Sequence, residues 1–141
     1  MNIEHAILLP PVFMVLLTGI AWLRLGSDRL KEMRERRIHP QQVATSRQMA
    51  EAMQNTQSAD HFRNLFEVPV LYYAVCGYIA ITQSTSLFLL ACAWGYVALR
   101  AAHTYIHLTH NTVVRRFQVY AASTIVVYVM WGVLAGKLVM G

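Results

Sequence analysis

The stretch that decides the fold is Asp60-His61-Phe62-Arg63-Asn64-Leu65-Phe66-Glu67-Val68-Pro69, which runs straight into Val70-Leu71-Tyr72-Tyr73-Ala74-Val75-Cys76-Gly77-Tyr78-Ile79-Ala80-Ile81-Thr82. Charge is crowded at its start and absent from its remainder. A helix crossing about 30 Å of hydrocarbon needs roughly 20 mostly apolar residues, and residues 65–82 meet that demand within tolerance. Three further runs do the same: 6–25, 87–106 and 117–138. Lipid offers the backbone no hydrogen-bond partners, so helices are the economical way across. A closed barrel would need alternating strands of about ten residues, a pattern this sequence lacks. The expected fold is an all-α integral membrane protein, a four-transmembrane-helix bundle forming a single domain over 1–141.

Composition agrees. A chain of 141 residues with 56% hydrophobic and only 13% charged residues is too apolar for an ordinary soluble domain. The net charge of +5 comes from basic residues beside apolar segments, which points to a membrane surface and away from nucleic acid. Cys76 and Cys92 lie inside apolar runs, where a thiol behaves as a small hydrophobe, and imply no disulfide framework. The first run follows Glu4 and His5 rather than a basic segment, and precedes Arg24 without a small-residue cleavage pattern. It reads as a retained helix.

All Lys and Arg except Lys137 flank the first and third connections. The positive-inside rule therefore predicts that both are cytoplasmic and that both termini lie outside, as in a bacterial inner membrane. In the first connection, 26–60, the mixed charges of 28–37 continue helix one until Pro40 stops it. A short helix over 43–53 follows, and Ser58 or Asp60 caps the second span. Pro69 bends that span. The short uncharged link near 83–86 makes spans two and three an antiparallel hairpin.

Chemistry gathers at the cytoplasmic helix ends. Arg63 and Glu67 are four apart and Asn64 and Glu67 three apart, so on a helix they share a face. Charged groups at membrane depth normally pair, or face a bundle interior or cavity. An ion pair of Glu67 with Arg63 or Arg100 that merely orients helices is one reading. Arg100, His103, His107 and His110 fall on one helical stripe. His103 and His107 have the spacing of helical zinc pairs, with His61 as a further ligand. Interfacial histidines at headgroup level are the commoner use. Arg115 suits a lipid phosphate, while Arg116 and Tyr120 look inward together. The ends of helices two, three and four would form a cationic pocket for a small anionic or zwitterionic ligand.

These residues resemble the MAPEG family, the membrane-associated proteins in eicosanoid and glutathione metabolism. Arg63-Asn64-x-x-Glu67 resembles its glutathione-binding stretch. Arg100-x-x-His103-Thr104 resembles a stretch of its prostaglandin-synthase branch, and Arg116 and Tyr120 follow at matching spacings. The run from Asp60 to Pro69 looks most like the bacterial branch. The resemblance implies a homotrimer with sites between protomers, glutathione as co-substrate, and a lipophilic electrophile arriving from the membrane lipids. Arg116 would be catalytic, stabilising the glutathione thiolate. Arg63 and Arg100 would hold carboxylates, Asn64 the backbone and Glu67 the amino group, with His103, His107 and Tyr120 completing the glutathione site. No metal is implied. The chain departs from the pattern at His107, where enzymatic members place a tyrosine, and at Phe117, where one branch has serine. Its helix-two proline follows Glu67 by two residues rather than four. The rival expectation is a non-catalytic protein that binds a lipid or anionic ligand or scaffolds a partner.

Overall fold

Apolar runs of this length become helices because each residue's amide can bond only within its own segment. The computed structural model describes residues 3–140. It contains α1 (Ile3–Ala6), α2 (Leu9–Glu35), a 3-10 turn (Pro40–Val43), α3 (Ser46–Ala52), α4 (Gln57–Asn64), α5 (Val68–Ile81), α6 (Leu87–Leu108) and α7 (Val113–Met140), with no strand among the described residues. Four helical stretches are long and apolar enough to cross a membrane: α2, α4 with α5, α6 and α7. Each exceeds the expected span. The extra turns belong to polar ends, as in α2, where Arg24–Asp28 at 3.1 Å and Glu32–Arg36 at 3.1 Å are i, i+4 pairs beyond the apolar run.

The core of the bundle is apolar. Tyr72, Val75, Cys76 and Ile79 of α5 meet Leu89, Ala93 and Tyr96 of α6, Val127, Met130 and Leu134 of α7, and Met14 and Ala21 of α2. Large hydrophobics such as Leu16, Leu23, Ile81, Leu87, Ile125 and Val139 face outward. That would be a liability in water and is the expected coat in lipid. The hairpin expectation needs refinement. The backbone of α5 packs against α7, while α6 packs against α7 and α2. Contact between α5 and α6 runs through the Tyr72 and Tyr96 rings, stacked at 4.1 Å, and through Tyr72 Oη donating to the Ala93 carbonyl at 3.2 Å.

The second crossing is broken rather than bent. Pro69 has no N–H and its ring crowds the carbonyl one turn earlier, and the helix stops at Asn64 and restarts at Val68. Between them the Leu65 and Phe66 amides bond three residues back, to Phe62 at 3.1 Å and Arg63 at 2.9 Å. Glu67 takes φ −92° and ψ −96°. Asn64 and Glu67 therefore do not share one helical face.

The first connection also differs in detail. Helix α2 ends at Glu35, before Pro40, with Arg37 in the left-handed region at φ 54°. Pro40 opens a 3-10 turn, and the short helix begins only at Ser46, because Thr45 caps it through Gln48. Thr56, and neither Ser58 nor Asp60, precedes α4; Ser58 is buried inside that helix. Glu32 ties the connection down. Its carboxylate accepts from the Gln54 amide at 2.6 Å, the Asn55 amide at 3.2 Å and Arg36 at 3.1 Å, and Arg36 also donates to the Ala52 carbonyl. This clasp sets where α4 starts.

Candidate functional site

Helix α6 carries the site because Tyr96, Arg100, His103, Thr104 and His107 recur every three or four residues on its buried face. Arg100 is fully buried. Its Nε donates to Tyr96 Oη at 3.0 Å, and its guanidinium carbon lies 5.4 Å from the Tyr96 ring centre and 5.1 Å from that of Tyr120. Both Nη nitrogens find no protein acceptor. A desolvated cation–π contact offsets about 2 kcal/mol, less than the several kcal/mol that desolvating an unpaired charge costs. The cation–π contacts therefore offset only part of the cost of burying this guanidinium.

Beside it lies a cluster of three buried imidazoles. The ring centres of His61 and His107 are 4.9 Å apart, those of His103 and His107 5.6 Å, and those of His61 and His103 5.7 Å. Both nitrogens of His61, and Nδ1 of His103 and of His107, lack protein partners. Across the α6–α7 connection, Arg116 Nη1 lies 3.2 Å from His107 Nε2 and donates to Asn111 Oδ1 at 2.7 Å. Gln57 of α4 donates its side-chain amide to the His107 carbonyl. A cavity of about 190 Å³ opens between Asn64, His103, Val113, Arg116, Phe117 and Tyr120. Phe117 is 68% exposed, so one wall of this cavity lies at the surface of the chain.

The structure gathers Asn64, Arg100, His103, His107, Arg116 and Tyr120 at one place. It leaves three expected residues outside. Arg63 is exposed and lines a separate cleft of about 300 Å³ with Arg29, Val43, Met53 and Asp60. Glu67 is exposed at the helix break, and among the described residues no ion pair includes it, Arg63 or Arg100. The orienting ion pair is therefore absent within one chain. His110 is exposed because α6 ends at Leu108 and Asn111 turns the chain at φ 45°. No group of three or more His, Cys, Asp or Glu side chains among the described residues is placed to hold a metal ion. Two guanidinium groups against the imidazoles would oppose a cation there in any case.

Sequence reading missed Tyr96, Asn111 and Gln57, and assigned His61 only to a metal. Tyr96 was visible one turn before Arg100, and His61 one turn before Asn64. Nothing in the sequence pairs Gln57 with His107 or Asn111 with Arg116, since those contacts depend on how the connections fold.

A sequence model of the MAPEG family matches residues 7–136. The chain belongs to the MAPEG family. The match takes in α2, all the connections and nearly the whole of α7. This MAPEG chain is thus a membrane protein of the family of eicosanoid and glutathione metabolism. No curated protein and no solved structure matches the chain.

Proposed function

We propose that the protein is a glutathione-dependent membrane transferase or peroxidase that attacks a lipophilic electrophile with a bound thiolate. The observation that carries the proposal is that Arg100, with two unpaired buried nitrogens, lies against the Tyr120 ring, and Tyr120 lines the same cavity as Arg116. Arg100 binds a glutathione carboxylate through charge-assisted hydrogen bonds, and Asn64 and His103 contact the peptide. Arg116 stabilises the thiolate, lowering a thiol pKa from about 8.5 toward neutrality. Tyr120 supports the Arg100 guanidinium, and the electrophile enters past Phe117.

At about 190 Å³ the cavity falls below the roughly 300–1,000 Å³ of complete small-molecule clefts. In this proposal a second copy completes it, with three copies per assembly and Arg63 and Glu67 offered to the neighbour's glutathione. An added Cβ at Gly19, Gly77, Gly95 or Gly132 would meet nothing within 4 Å, which supports those faces approaching other helices outside the chain. The basic connections support a site on the cytoplasmic side, in a bacterial inner membrane.

The test is equilibrium binding of glutathione to the detergent-purified assembly, wild type against Arg100→Leu. Saturable binding that weakens at least tenfold in the variant is the expected outcome. No binding at millimolar glutathione would overturn the proposal.

A further inference from the structure

Arg116 is useful to a thiol only if its guanidinium is held at one place, and the side chains that hold it are unusual. An arginine has N–H donors and no acceptor. His107 Nε2, 3.2 Å from Arg116 Nη1, must therefore be the unprotonated nitrogen if that contact is a bond. The proton of neutral His107 then sits on Nδ1, which points into the buried interior and finds no protein acceptor. Protonating Nε2 would set two donors against each other and expel the guanidinium.

The surroundings favour the neutral ring. From α4, His61 lies against His107, and Gln57 grips the His107 carbonyl, which fixes the backbone of the last turn of α6. From α6 itself come His103 and, further along, Arg100; from α7 comes Arg116; and Asn111 takes the other bond from the same Nη1. The one carboxylate acting on the ring is Asp60 of α4, which would reward an imidazolium; burial of the ring and the Arg116 charge oppose it and rank ahead of it.

We infer that His107 is a positioning residue for Arg116: as the neutral Nδ1–H tautomer it accepts from the guanidinium, shares it with Asn111, and aims it at the thiol. The role rests on the glutathione reading for its purpose, though the tautomer and the bond do not. It gives a physical reason for histidine here: an aromatic ring with an acceptor at the far side, in place of a phenol whose O–H would meet the ligand.

The experiment has two arms. Imidazole 15N NMR of the ligand-free assembly reads the tautomer directly. The expected result is an Nδ1–H ring at His107 whose Nε2 resonance shifts in Arg116→Ala. An Nε2–H ring, or no response to that substitution, would overturn the inference whatever the protein binds. In the second arm, bound-thiolate absorbance and glutathione affinity are compared for two variants. His107→Gln keeps an acceptor near the Nε2 position and should hold the thiolate fraction within about twofold. His107→Asn ends short of it and should lose thiolate at least as far as tenfold, with affinity changed less than threefold. Equal behaviour of the two would overturn the role. Failure of wild type to bind glutathione would sink the proposed function alone, with the NMR arm still deciding the inference.

Discussion

The two ends of this bundle solve the same problem in opposite ways. Toward the Thr82–Ser86 link, polar side chains find partners inside the chain: Tyr72 Oη, buried, donates to the Ala93 carbonyl, Trp131 Nε1 to the Leu71 carbonyl at 3.2 Å, and part-buried Lys137 Nζ to the Ser84 carbonyl at 2.6 Å. Toward Asn111, Arg100, His61, His103 and His107 keep nitrogens without protein partners. Buried polar groups in folded proteins are nearly always bonded. An end that breaks this rule repeatedly, next to a cavity, is built around something other than its own packing.

Arg100→Leu separates the two ends most sharply. Removing an unpaired buried charge should stabilise the ligand-free protein by about 1–3 kcal/mol, read as a raised unfolding temperature in detergent, while glutathione affinity falls. A destabilised variant would mean that Arg100 serves packing. The next effect comes from Arg116→Lys, which keeps the charge but ends one bond short of the Nη1 that reaches both His107 and Asn111. Bound thiolate should fall severalfold in the same absorbance assay, with the fold intact by circular dichroism. An unchanged thiolate fraction would show that charge alone suffices.

At the packed end the order reverses. Tyr72→Phe deletes one buried hydrogen bond and should cost about 1 kcal/mol of stability, leaving glutathione binding where it was. Loss of binding there would join the two ends into one unit. The smallest expected effect is Glu32→Gln, which weakens the clasp on Gln54 and Asn55. Limited proteolysis between 36 and 56 should quicken by a few fold, and equal rates would show that other contacts hold the connection.

Much of this was legible in the sequence, because the bilayer imposes a length and an apolar composition that no soluble core demands. The four crossings followed from that, as did the inward face of α6, since Arg100, His103 and His107 repeat at helical spacing. The break at Leu65–Glu67 was not, although Pro69 announced a disturbance. How far a proline disrupts a helix depends on what the freed groups meet, and here they close three-residue turns. The same break moved Glu67 off the face of Arg63 and Asn64, which no periodicity argument would detect. Arg116 and His107 were both singled out, but their contact and the one with Asn111 were not, because that grip depends on the tight turn at Asn111.

The most direct measurement is a glutathione titration of the detergent-purified assembly with thiolate absorbance followed throughout, for wild type and Arg116→Ala. The account predicts binding with a thiolate signal in wild type, and binding with that signal lost in the variant. Binding without thiolate in wild type, or an equal signal in both, would contradict it and leave a ligand-binding membrane protein in its place.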